Sequence, residues 1–158
     1  MTRAAFIALV MLMLAGPVSA EQEALLADRH LDGLVRTVGS LDRTAALALQ
    51  RAADTLLVLA EGNDLRPARS VATGKLFEYL GAGRPVLVIG AESEAARIVR
   101  DAGAGAAVAG DDPAAIANEL ERLADGGLDA RGAAIQAYSW PALIERWERE
   151  IEAAVGGG

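Results

Sequence analysis

The residues best suited to chemistry in this chain lie in one stretch, Ala72-Thr73-Gly74-Lys75-Leu76-Phe77-Glu78-Tyr79-Leu80. A polar loop enters a helix there, and the first turn carries Thr73, Gly74 and Lys75. Free backbone N–H groups, the positive end of the helix dipole and a lysine together suit the oxygens of a phosphate. Glu78 follows one turn later, flanked by Phe77 and Tyr79. A carboxylate in that place is a good acceptor for paired hydroxyls such as those of a ribose. A plainer reading stands beside this one. Lys75 and Glu78 are spaced i,i+3, and a surface ion pair of that kind contributes only about 0.2–0.5 kcal/mol.

Other familiar chemistries are missing their parts. The 158 residues include no cysteine, which excludes disulfides, thiolate metal sites and a cysteine nucleophile together. His30 is the single histidine and sits in the polar run Ala27-Asp28-Arg29-His30, which reads as a solvated helix end. No G-x-S-x-G elbow supplies a serine for a triad with it. Gly74-Lys75 lacks the glycine five residues earlier and the Ser/Thr afterwards that a P-loop needs. Gly103-Ala104-Gly105 follows a helix and precedes a strand, the reverse of a dinucleotide fingerprint. No Asp-x-Asp pair exists to hold a metal–diphosphate complex, and Asp111-Asp112 is more simply a helix start. The formal net charge is −7 with no dense Lys/Arg cluster, which argues against a nucleic-acid partner.

The elements that must position this stretch follow from the apolar pattern. Apolar residues make up 53% of the chain but aromatics only 4%, so the core is built from Leu, Val, Ile and Ala. Such a composition suits helices on a parallel sheet. Strands are expected at Leu34–Val38, Thr55–Ala60, Pro85–Ile89 and, more weakly, Ala106–Ala109. The run Thr55–Ala60 has the continuous apolar character of a strand buried on both faces. Helices are expected from Asp42 through Ala52, from Thr73 to Leu80 with Gly81 and Gly83 as stops, and from Ser93 to Ala102. A further helix runs from Asp112-Pro113, an N-cap and a first-turn proline, to Gly126-Gly127. Trp140-Pro141 opens a last helix on which Ile144, Trp147, Ile151 and Val155 recur, and Gly156–Gly158 reads as a disordered end. The Trp140/Trp147 stripe reads as core before it reads as a sugar platform. Glu61–Ala72 reads as a loop. Strands alternating with helices give one α/β domain over residues 1–158, a Rossmann-like open parallel sheet with helices on both faces. Ligands in such sheets sit beyond the carboxyl ends of the strands, which singles out the loops after Val38, Ala60 and Ile89 and the helix start near Thr73.

The first twenty-two residues carry two patterns. Arg3, the uncharged run Ala4–Gly16 and Pro17-Val18-Ser19-Ala20 fit the three regions of a signal peptide. Leu12–Gly16 also fits a short buried strand entering a glycine turn. Ser19 and Gln22 then form a capping box for a helix through Leu25, Leu26 and Leu31.

With these residues in view, the segment Lys75, Glu78-Tyr79-Leu80 and Gly83-Arg84-Pro85-Val86 resembles the donor-site motif of GT-B glycosyltransferases of the group 1, family-four type. The similarity runs from about Leu12 to Val155. It takes in Val38-Gly39-Ser40-Leu41-Asp42-Arg43, Gln50-Arg51-Ala52-Ala53-Asp54, Gly103-Ala104-Gly105, Asp111-Asp112-Pro113 and Tyr138-Ser139-Trp140. The resemblance implies the C-terminal, donor-binding half of a GT-B enzyme, truncated or split, which transfers a glycosyl group from a nucleotide sugar to a glycan or lipid acceptor. Under it Glu78 holds the ribose hydroxyls, while Lys75 and the amides of Thr73, Gly74, Lys75 and Leu76 face the diphosphate. Backbone at Val38 and Gly39 lies against the base. The family often has a first glutamate eight positions before Glu78, where this chain has Ser70, so the sugar-contacting and catalytic roles have no residue assigned. The resemblance also implies no cofactor and no metal. It implies a partner in the form of a separate acceptor domain or a second copy, and a cytoplasmic, membrane-peripheral location. It matches Leu12–Gly16 to a strand and so favours the strand over the signal peptide. A non-catalytic nucleotide-binding module and an exported α/β module using Met1–Ala20 as its signal are the alternatives.

Overall fold

The computed structural model describes residues 11–28, 31, 33–60, 74–126, 128, 130 and 133–156. The described residues contain parallel strands in two open sheets, with helices between them. They sort into two compact units, Met1–Ala52 and Ala53–Gly158.

In the first unit, β1 (Leu12–Ala15) pairs in parallel with β2 (Val35–Gly39). The register is regular from Leu12 opposite Val35 to Leu14 opposite Thr37, then shifts so that Ala15 faces Gly39. Gly39 has φ +67°, a backbone conformation a side chain rarely tolerates, and its carbonyl accepts from Gly16 N–H at 2.8 Å. The capping box forms as the spacing predicts. Gln22 N–H donates to Ser19 Oγ at 3.2 Å, and Ser19 N–H donates to Gln22 Oε1 at 2.9 Å. The helix it opens, α1 (Ala20–Asp28), ends before Leu31. Asp42 caps α2 (Arg43–Ala52), with Oδ1 accepting from Ala45 N–H at 2.8 Å.

In the second unit, β3 (Leu56–Leu59), β4 (Val86–Ile89) and β5 (Gly105–Val108) lie side by side, all parallel, with β4 in the middle. Alternation along β4 sends its side chains to two separate cores. Val86 and Val88 join Leu56 and Val58 against Leu76 and Leu80 of α3 (Gly74–Ala82) and Ile98 and Val99 of α4 (Glu94–Asp101). Leu87 and Ile89 meet Leu123 of α5 (Pro113–Ala124) on the opposite face. This sheet is therefore covered on both sides, which is why every residue of β4 is buried. β5 approaches β4 so closely that a Cβ on Gly105 would overlap the Val86 carbonyl.

Local signals at the helix ends hold. Ser93 Oγ accepts from Ala96 N–H at 3.1 Å and donates to Gly90 O at 2.7 Å, while Asp112 Oδ1 accepts from Ala115 N–H at 2.9 Å. Several expectations are corrected. Gly81 lies inside α3, and the chain turns at Gly83, where φ is +67°. β3 sends Leu56 and Val58 to one core and Leu57 to the other, but Leu59 is 70% exposed, so its burial on both faces stops short of the strand end, whereas β4 is buried throughout. A 3-10 helix, Ala133–Tyr138, precedes α6 (Trp140–Gly156), and α6 takes in Gly156, which had been expected in the disordered end. The Trp140/Trp147 stripe is not core: the two rings are 78% and 73% exposed.

Candidate functional site

α3 presents two faces with different jobs. Leu76 and Leu80, four apart, are both buried and hold the helix on the sheet. Burial of that kind stabilises by about 1.5–3 kcal/mol per leucine. On the exposed side, Lys75 Nζ stands 3.7 Å from Glu78 Oε2, with the two side chains 65% and 36% exposed. The i,i+3 pairing read from the sequence is thus present, and both groups are reachable from solvent. Gly74 is the first helical residue and is exposed, with open space where a Cβ would stand. Leu76 takes part in the site only through its backbone, because its side chain belongs to the core. Thr73, Ser70, His30 and the loop Glu61–Ala72 fall outside the described residues.

The structure therefore brings Gly74, Lys75, Leu76 and Glu78 together on the first two turns of one helix. Val38 and Gly39 belong to the other unit. Val38 is half-buried and lines an open apolar depression of about 440 Å³ with Leu41, Ala45, Ala48, Leu49 and Ala52. Gly39 is exposed at the end of β2.

Ionic order in this unit is concentrated on α4. The Arg97 guanidinium is shared between Glu94, at 2.5 and 2.8 Å, and Asp101 at 2.7 Å. The hydrogen bond from Arg97 holds the Glu94 carboxyl below its ordinary range. In return Arg97 is pushed upward, chiefly by its hydrogen bond to Glu94 and that group's charge, with Tyr138 contributing least. Among the described residues no group of three or more His, Cys, Asp or Glu is placed to hold a metal ion. Nor, among them, is any helix long and apolar enough to cross a membrane.

With fold and geometry in place, the comparison with solved structures is informative. The chain shares its fold with AviGT4, a glycosyltransferase involved in avilamycin A biosynthesis. The likeness covers 94% of this chain at a TM-score of 0.69 and 22% sequence identity. It is a likeness of fold: the parallel strands and flanking helices match a Rossmann-like half of a GT-B fold. This chain spans 44% of the length of AviGT4. No family model and no curated protein matches it.

Sequence reasoning missed one feature of this region. Tyr138, at the end of the unanticipated 3-10 helix, places its ring 6.4 Å from that of Phe77 on α3. The two are 61 positions apart, so no local spacing could have paired them.

Proposed function

We propose that this chain is the donor-binding portion of a nucleotide-sugar glycosyltransferase. The observation that carries the reading is the division of α3. Buried Leu76 and Leu80 fix the helix, while on its first two turns Lys75 stands exposed and Glu78 half-buried beside Gly74. Helix N-termini favour anions through their free N–H groups and dipole, so Lys75 and the amides of Gly74, Lys75 and Leu76 receive the diphosphate. Glu78, one turn on, accepts from the ribose hydroxyls. Val38 and Gly39, in the first unit, are assigned to the base. The likeness to a glycosyltransferase fold supports this assignment of parts. The acceptor is a glycan or lipid presented by a separate acceptor domain, and the chain works without metal or cofactor at the cytoplasmic side of a membrane.

A second reading, a non-catalytic nucleotide-binding module, is favoured by Ser70. That residue stands where an acidic residue would otherwise contact the donor sugar. Calorimetry with UDP, GDP and ADP tests the feature common to both readings, and heat of binding is expected for at least one. Turnover after adding an acceptor domain separates them: transfer supports the enzyme portion, and binding without transfer supports the module.

A further inference from the structure

We propose that Tyr138 is a positioning residue for α3 and, through it, sets the affinity of the Lys75–Glu78 face for a nucleoside diphosphate; the inference rests on the donor-binding reading above. Leu76 and Leu80 fix how deeply α3 sits on the sheet. Tyr79 and Ala82 of the same helix also pack against this core, so α3 is held along its inner side. Roll is what matters to a site on the exposed side. A side-chain atom about 6 Å from the axis moves by about 2 Å when a helix rolls 20° or so. Hydrogen bonds do not survive such a displacement, since their useful range spans only about 0.5 Å.

Tyr138 is placed to add a restraint on the outer flank of α3. Its ring meets Phe77 at 6.4 Å between centroids and 44° between planes, a tilted aromatic pair. Phe77 is the residue immediately before Glu78 and is 41% exposed, so the contact is made on the flank of α3, away from its buried leucines. The same tyrosine packs, together with Ile135, against the core cluster that holds Leu76, Leu80, Ile98 and Val99. One side chain therefore ties the flank of α3 to the core from a third element, the 3-10 helix that leads into α6.

The test is a double-mutant cycle on Phe77 and Tyr138, read by calorimetry with whichever of UDP, GDP and ADP binds the unmodified chain most tightly. Tyr138→Ala and Phe77→Ala are each expected to weaken binding about two- to tenfold, the size of one aromatic pair. The double variant should lose no more than either single one, because both remove the same restraint. Tyr138→Phe keeps the ring and should bind within about twofold of the original. Should Tyr138→Ala fail to fold, Phe77→Ala with Tyr138→Phe carries the test. Unchanged affinity in the alanine variants, or losses that simply add, would overturn the positioning role and leave the donor-binding reading standing. Absence of binding by the unmodified chain to all three diphosphates would sink both.

Discussion

Glu78 concentrates the functional question into one carboxylate. Its 3.7 Å pairing with Lys75 is a surface pair of a half-buried carboxylate with an exposed lysine, and pairs of that kind contribute about 0–1 kcal/mol to stability. A ligand hydroxyl bound to the same carboxylate makes a charge-assisted hydrogen bond, for which about 1.5–3 kcal/mol is usual. Glu78→Ala is expected to weaken nucleoside diphosphate binding by one to two such bonds. Calorimetry checks it, and equal affinity in the two proteins would remove Glu78 from the site. The spacing of Lys75 and Glu78 was readable in the sequence because both lie on one helix, less than a turn apart. That Leu76 would bury its side chain and offer only its amide was not stated there, because burial depends on where the sheet lies.

At the scale of elements, strand β5 gives the sharpest stability test. Any side chain at Gly105 collides with the Val86 backbone, which sits in the fully buried central strand and cannot swing aside as a long side chain could. Gly105→Ala is expected to destabilise by about 1–3 kcal/mol, as overpacking does, with a lowered urea midpoint as the readout. The start of the chain offers another. Leu12–Ala15 forms four positions of parallel pairing with β2, so cleavage after Ala20 would strip β2 of the partner it has here. Intact mass spectrometry is expected to find Leu12–Ala15 retained in the mature chain. A chain beginning at Glu21 would restore the exported reading. The helix starts at Ser19, Asp42, Ser93 and Asp112 were legible because each cap is closed by residues three apart in sequence. The 3-10 helix Ala133–Tyr138 carries no comparable cap or apolar period, and it went unread.

The whole molecule raises the matter of what meets α6. Trp140, Ile144, Trp147, Ile151 and Val155 recur at intervals of three or four and all are exposed, so one stripe of the helix is apolar and open to solvent. Self-association is the expected consequence, with sedimentation velocity showing a mean mass that rises with concentration. Trp147→Glu should suppress the rise without loss of helix content; a mass constant for both proteins would count against it. Activity belongs to this scale too. Glycosyl transfer needs donor and acceptor held in register, and positioning of that kind can lower a barrier by about 7–11 kcal/mol. This chain spans 44% of a glycosyltransferase that shares its fold. It is expected to bind a nucleoside diphosphate weakly and, alone, to transfer no sugar. A radiolabelled-donor assay over lipid and glycan acceptors checks this, and robust turnover by the purified monomer would contradict it.

Two kinds of determination meet in this protein. The sequence alone determined the parallel α/β class, the order of the strands and α-helices from β2 to α6 and the capped helix starts, because these depend on apolar period and on hydrogen bonds closed within a few residues. It also determined that Lys75 and Glu78 share a helix flank. Tertiary structure alone decided that β4 is buried along its whole length while β3 opens to solvent at Leu59, since that depends on where the helices cover each face. The same holds for the exposure of Trp140 and Trp147, whose apolar period is identical whether the stripe is covered or bare. The meeting of Phe77 with Tyr138 is a third case. Two rings 61 positions apart become neighbours only when the sheet brings their helices together, and no feature of either local segment encodes that distance.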